Sequence, residues 1–352
     1  MTTLLTARFD EGERRRLETI LGPVEVAGFG VTRVVMPRAE LIARLAGVTT
    51  LLIEYEDVDG EVLDAAPMLE LMACCRNEPF ASVDLDAATA RGIPVLFTPG
   101  RNATAVAEYT LGLMIAVTRG IASAHHELRF TDRFTAAGDA GDRRDATAQW
   151  SLDPGEPFDV YQGPELAGRT VGIVGFGFIG QRIAALCRAF GMIVVTHDPY
   201  VGEDALARYD AARLELLDLA AASDIVVLAA KVTPESRGIV SAAFLARMRP
   251  TAYFVNTARA ALVDMDALTS VLRAGAIAGA ALDVYPVEPL PTGSPLRSLD
   301  NVVLSPHLAG ASTDVVRHHS QILVDDIERL RHGERPKFVA NPVVLERAGE
   351  RA

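Results

Sequence analysis

The sequence predicts an α/β protein made of two doubly wound parallel-sheet units. Three observations carry that expectation. The chain has 352 residues, 49% of them apolar and 23% charged, which is two domains' worth with sizeable cores to bury. Short apolar, β-rich runs alternate with amphipathic stretches along nearly its whole length, the signature of βαβ units. The alternation is interrupted once, by a polar stretch over 130–165, and then starts again.

In the first series the strand candidates are TTLLTARF (2–9), VEVAGF (24–29), TTLLIEY (49–55), LELMACC (69–75) and IPVLFT (93–98). Helical patterns lie between them at EGERRRLETIL (11–21) and PRAELIARLAG (37–47). One long amphipathic helix is predicted from Ala103 to Arg129. Residues 130–165 hold several Gly and Pro, no sustained periodicity and the single tryptophan, Trp150. So long a loop reads either as an oligomer-contact arm or as a surface excursion. The second series runs RTVGIVGFG (169–177), MIVVTHD (192–198), DIVVLAA (224–230), AYFVNTA (252–258), AGAALDV (278–284) and NVVLS (301–305). A helical pattern from Ser312 and a polar tail after Pro342 close the chain.

A net charge of −12 argues against a nucleic-acid surface, which needs clustered Lys and Arg. Cys74, Cys75 and Cys187 form neither a metal-ligand spacing nor a disulfide framework, so no metal is expected. The start lacks a secretory pattern and no uncharged stretch reaches membrane-spanning length. The expectation is a soluble cytoplasmic protein with no membrane partner.

GIVGFGFIG contains Gly175-x-Gly177-x-x-Gly180, placed after a strand and opening a helix, with Asp198 ending the next strand. Gly175 permits the tight turn, Gly177 lets backbone approach a pyrophosphate, and Gly180 lets helix and strand pack closely. The helix N-terminus offers free N–H groups to phosphates. Asp198 would accept bonds from ribose hydroxyls and repel a 2′-phosphate, favouring NAD over NADP.

Ligands of such sheets bind outside the carboxyl ends of the strands. Just past three strand ends come Arg259, Glu288 and His307. These types suit hydride transfer to a carbonyl beside an acid group. Arginine's planar fork grips a carboxylate, histidine gives the alkoxide its proton, and a carboxylate on the far ring nitrogen orients the imidazole. Asp283 would bond the nicotinamide carboxamide or cap its turn.

The segments VGIVGFGFIG, HDPY, VNTAR, AALDVYPVEPL, LSPHLAGAS and PGRNATAVAEYTLGLMIAVTR, in their order and spacing, resemble the D-isomer-specific 2-hydroxyacid dehydrogenases. The resemblance implies a Rossmann NAD domain (104–307) inserted into a discontinuous, flavodoxin-like substrate domain (1–103 and 308–352), usually in a homodimer. It further implies that Arg259 binds substrate, Glu288 orients and His307 is the acid/base. Phe178 and Ile179 would meet the pyrophosphate, Thr257 and Ala258 would line the nicotinamide side, and Thr110 would also contact NAD.

The sequence departs from that pattern after the fourth strand. The glycine-rich loop that holds a substrate carboxylate in the family is replaced by Arg76-Asn77-Glu78-Pro79-Phe80-Ala81-Ser82. Arg76, with Asn77, would hold a carboxylate, phosphate or phosphonate directly, or else Arg76 pairs with Glu78. Glu54 would suit substrate hydroxyls. Ala260 stands where the family commonly has glycine. The expected function is NAD-dependent interconversion of a 2-oxo acid, or a close analogue, with its hydroxy compound. The alternative is a dimeric NAD(H)-sensing binding protein resembling the corepressors of this fold.

Overall fold

A computed structural model describes residues 2–134, 155 and 157–349. The described chain up to Asn102 and from Ala311 onward forms one compact unit, and Ala103–Gly310 forms the other. Trp150 and most of the 130–165 arm lie outside the described residues.

The first unit holds five parallel strands: β1 (Thr2–Leu5), β2 (Val24–Val26), β3 (Val48–Ile53), β4 (Leu71–Cys74) and β5 (Val95–Phe97). Their order is β2-β1-β3-β4-β5, a doubly wound arrangement whose topological switch point lies between β1 and β3. Alternate residues feed two cores. Leu4, Leu51, Ile53, Met72 and Val95 pack on one face. Leu5, Leu52, Ala73 and Leu96 pack on the other against Leu17, Leu21, Leu323, Val324 and Ile327. Both helices of that second layer are therefore needed, one from each end of the chain. Asp10 caps the first, Glu11–Leu21, by accepting from the Gly12 and Glu13 N–H groups, a contribution of about 1 kcal/mol. After the second, Val315–Arg331, buried Asp326 accepts from the Lys337 and Phe338 N–H groups (2.7 and 2.9 Å). Those bonds lead the chain back so that Val339 bridges Leu96 of β5 antiparallel.

The second unit holds seven parallel strands: β6 (Thr170–Val174), β7 (Ile193–His197), β8 (Ala211–Arg213), β9 (Ile225–Leu228), β10 (Tyr253–Asn256), β11 (Gly279–Leu282) and β12 (Val302–Leu304). The order β12-β11-β10-β9-β6-β7-β8 is the Rossmann arrangement with one strand added, and it reverses between β6 and β9. Phe254, Leu282 and Val226 face one core, and Ile173, Val227 and Val255 the other. Truncating fully buried Phe254 to alanine would cost about 3–5 kcal/mol.

Two expectations are corrected. The single helix predicted from 103 to 129 is two, Ala103–Thr118 and Ile121–Phe130, bent by 66°. Gly120 between them has φ +60°, and a Cβ there would stand 2.7 Å from the Tyr161 ring. The edge strand β8 is absent from the predicted set, because Ala-Ala-Arg has no apolar alternation to reveal it. No single helix among the described residues is long and apolar enough to cross a membrane.

Candidate active site

The fingerprint glycines divide by physical role. A Cβ on Gly175, which has φ +93°, would lie 2.5 Å from the Ala230 backbone, and one on Gly180 would lie 2.2 Å from the Gly175 carbonyl oxygen. Both are required by the protein's own packing. Gly177 is not: a Cβ there would meet nothing within 4 Å, so its bareness leaves a cradle open to a ligand. Gly177 caps the helix Phe178–Ala189 without a side-chain bond, so the N–H groups of its first turn are left for a phosphate. Phe178 is exposed and Ile179 half-buried at this turn. Asp198, just past β7, is pinned beside it by N–H bonds from Phe176 (2.7 Å) and Tyr200 (2.9 Å). These residues fit a dinucleotide.

β10, β11 and β12 are neighbours in the sheet, and their carboxyl ends carry the three chemical residues. Arg259 follows β10 and is exposed. The turn before it is shaped by buried Asn256, whose side chain accepts from the Ala258 N–H (3.0 Å) and donates to the Arg259 carbonyl (3.2 Å). Ala260 lies outside the left-handed region, so alanine in place of glycine strains nothing. Buried Thr257 bonds Thr110 hydroxyl to hydroxyl (2.7 Å), which ties the end of β10 to the helix Ala103–Thr118.

Glu288 and His307 are brought together, with Oε2 2.7 Å from Nδ1. The other Glu288 oxygen accepts from the Tyr285 N–H (2.9 Å). Partial burial works to raise the Glu288 carboxyl, but the His307 and Tyr285 hydrogen bonds and the charges of His307 and Arg259 outweigh it and hold the group below its ordinary value. With Nδ1 occupied by the carboxylate, Nε2 is the ring atom left for a substrate.

His307 has φ +56°, an uncommon conformation for a residue with a side chain. Asp283 holds it there. Its backbone oxygen accepts from the His307 N–H (2.9 Å). Its fully buried carboxylate accepts from the Ser305 hydroxyl (2.6 Å) and from the Leu308 and Ala309 N–H groups (2.9 and 2.8 Å). Of the two uses expected for Asp283, these bonds serve the turn, and Oδ2, which accepts one bond, keeps acceptor capacity.

In the first unit, Glu54, Arg76 and Asn77 all lie past strand ends. Glu54 is buried and engaged: its Oε1 accepts from Arg101 (2.9 Å), a residue past β5 that strand-end inspection of this unit would also have found. The same Arg101 nitrogen is 3.0 Å from Nδ1 of buried His319, whose Nε2 is 2.7 Å from the Arg8 carbonyl oxygen. Nε2 therefore carries the proton and Nδ1 accepts. Burial, against the opposing hydrogen bond to Arg8, pushes His319 down to about 4. Arg76 bonds Ser82 (3.1 Å) and lies over the Tyr55 ring at 5.5 Å. Asn77 donates to Asn102 (2.9 Å). The N–H groups of Ala81, Ser82 and Val83 are all used inside the loop, so they offer no carboxylate nest.

A Rossmann sheet with a glycine cradle at its switch point and a carboxylate–imidazole pair on the same edge defines a dinucleotide-dependent oxidoreductase. Comparison with known proteins makes the class specific. The model for the D-isomer specific 2-hydroxyacid dehydrogenase NAD binding domain matches residues 111–309. YoaD of Bacillus subtilis, provisionally named a 2-hydroxyacid dehydrogenase, is 37% identical over 92% of this chain and 89% of its own. A glyoxylate reductase of Thermofilum pendens is 36% identical over 88% of this chain and 86% of its own. A D-3-phosphoglycerate dehydrogenase of Mycobacterium tuberculosis is 38% identical over 78% of this chain, which spans only 48% of that protein. The solved TT0316 protein of Thermus thermophilus superposes with a TM-score of 0.72 at 33% identity, covering 97% of this chain and all of its own. The chain belongs to the D-isomer specific 2-hydroxyacid dehydrogenases. It is an NAD-dependent oxidoreductase acting between 2-hydroxy and 2-oxo acids.

Proposed function

We propose that the protein reduces a 2-oxo acid at the C-terminal edge of its seven-stranded sheet, with His307 as the proton donor. NADH supplies the hydride. Gly175, Gly177, Gly180, Phe178 and Ile179 hold its pyrophosphate, Asp198 its adenosine ribose, and Thr257 and Ala258 its nicotinamide side, with Thr110 also contacting NAD and Asp283 within reach of the carboxamide. Arg259 grips the substrate carboxylate and draws charge from the neighbouring carbonyl. His307 gives its Nε2 proton to the oxygen as hydride arrives at carbon, and Glu288 holds the ring and balances its charge. Arg76 and Asn77 contact the substrate, while Glu54 acts through Arg101.

The observation that carries this reading is the 2.7 Å Glu288–His307 bond on the edge that bears the glycine cradle. An intact acid/base pair also favours an enzyme over a nucleotide sensor. Replacing His307 by alanine tests it: kcat should fall by about 10²- to 10⁴-fold while NADH binding stays.

A homodimer is part of the proposal. Ile121, Leu128, Phe130 and Phe158 are each more than half exposed, an apolar set suited to a second copy. Three buried, unpaired cysteines suit the reducing cytoplasm.

A further inference from the structure

Tyr285, past β11, is buried and supports both members of the acid/base pair. Its backbone N–H donates to Glu288 Oε1 at 2.9 Å. Its hydroxyl reaches the Leu282 carbonyl at the end of β11 (2.8 Å) and the Ser305 carbonyl just past β12 (3.0 Å). A phenol carries one hydrogen, so two acceptors share it. Burial pushes the Tyr285 phenol up to about 12, which keeps it a donor throughout the neutral range.

The Ser305 carbonyl leads on to His307. The His307 N–H is shared between the Asp283 carbonyl (2.9 Å) and the Ser305 carbonyl (3.1 Å). The hydrogen bonds therefore close a ring. Tyr285 N–H meets Glu288 Oε1, and Glu288 Oε2 meets His307 Nδ1. His307 N–H meets the Ser305 oxygen, and the Tyr285 hydroxyl meets that same oxygen. Every residue of the ring lies in the Ala103–Gly310 unit. The Asp283 carboxylate takes the N–H groups that follow His307, whereas the Tyr285 hydroxyl takes the carbonyl that precedes it.

Without the hydroxyl, the Leu282 and Ser305 oxygens would face a bare ring edge. Leu282 keeps the Ser305 N–H (3.0 Å), but the Ser305 carbonyl is left with the longer, shared His307 bond. A peptide held so loosely can turn, and His307, at φ +56°, turns with it. Resting on the reading above, we infer that Tyr285 is a positioning residue for the proton transfer. Its hydroxyl, through the Ser305 carbonyl, fixes the His307 ring against Glu288. It acts through His307 and needs no contact with substrate or cofactor.

The test is a double-mutant cycle on kcat for NADH oxidation, using the native protein, Tyr285→Phe, His307→Ala and the double variant. The substrate is the fastest among glyoxylate, hydroxypyruvate, phenylpyruvate and 4-methyl-2-oxopentanoate. Tyr285→Phe keeps the ring and removes only the hydroxyl. It should lower kcat by about 5- to 30-fold, the effect of one lost buried hydrogen bond, with KM and the NADH Kd within about twofold. In the His307→Ala background the same substitution should change kcat by less than about twofold, because no imidazole is left to position. A native kcat in Tyr285→Phe overturns the inference while leaving the reaction class standing. An equal loss in both backgrounds also overturns it, since a merely structural hydroxyl acts whether or not His307 is present. Failure of Tyr285→Phe to fold, read by circular dichroism, would assign the hydroxyl to the fold and overturn the inference likewise. A native kcat in His307→Ala, or no turnover of any of the four acids, would overturn the proposed function and the inference with it.

Discussion

Asp283→Asn removes one charge and one acceptor from the clamp behind His307. The native carboxylate accepts three bonds in full burial, two on Oδ1 from Ser305 and Leu308 and one on Oδ2 from Ala309. An asparagine can keep its oxygen toward Ser305 and Leu308, but its amide then faces the Ala309 N–H donor to donor. A charge-assisted bond is lost and a buried N–H is orphaned, at a cost of about 1.5–3 kcal/mol. The native loop also holds His307 at φ +56°, which relaxes readily once a restraint is gone. If that free energy falls on the placement of the imidazole, kcat drops by about 10- to 150-fold. Steady-state NADH oxidation reads kcat, and quenching or enhancement of NADH fluorescence reads its Kd. The expected result is the drop in kcat with NADH affinity within about twofold. A normal kcat with NADH affinity weakened tenfold or more would refute the clamp and return Asp283 to the nicotinamide.

Three further outcomes follow from the same structure. Gly177→Ala should cost no more than about 1 kcal/mol of stability, the price of alanine at an N-cap, yet weaken NADH markedly, because the added methyl enters open space kept for the ligand. Unchanged NADH affinity in a titration would contradict that use of the cradle. Gly175→Ala instead meets backbone at 2.5 Å with φ +93° and should lower the melting temperature sharply with or without cofactor. His319 gives a pH dependence. Its folded value of about 4 lies below the ordinary histidine value of 6.5, so between those limits the unfolded chain binds a proton that the folded chain excludes. Stability is full above pH 6.5 and falls by about 1.4 kcal/mol per pH unit toward 4, about 3 kcal/mol in all. His319→Gln should flatten that slope in denaturant titrations; an unaltered slope would assign the acid sensitivity elsewhere.

Much of this architecture is legible in the sequence because buried parallel strands are near-continuous runs of β-branched and aliphatic residues, as in VGIVG and IVVLA. Strand-end inspection likewise reaches Arg259, Glu288 and His307, because residues past adjacent parallel strands must share one edge. What it misses is pairing across long sequence distances. Arg101 and His319 meet over 218 positions, and only the packing of the helix Val315–Arg331 on the five-stranded sheet brings them together. Glu54 therefore looks like a free acid in the sequence and is an engaged one in the fold. The break at Gly120, in the left-handed region with φ +60°, has a local signal in the glycine itself, but the apolar periodicity running across it hides that signal. Asp283 shows a third limit, since a strand-end carboxylate can face a ligand or its own chain, and its four bonds to the His307 loop appear only in three dimensions.

The central claim is that His307, held by Glu288, delivers the proton that accompanies hydride transfer. The most direct measurement pairs kcat for a 2-oxo acid with the NADH Kd, in the native protein and in His307→Ala. The account predicts a fall in kcat of about 10²- to 10⁴-fold with the Kd within about twofold. Turnover at the native rate, or a loss that follows cofactor affinity alone, would contradict it.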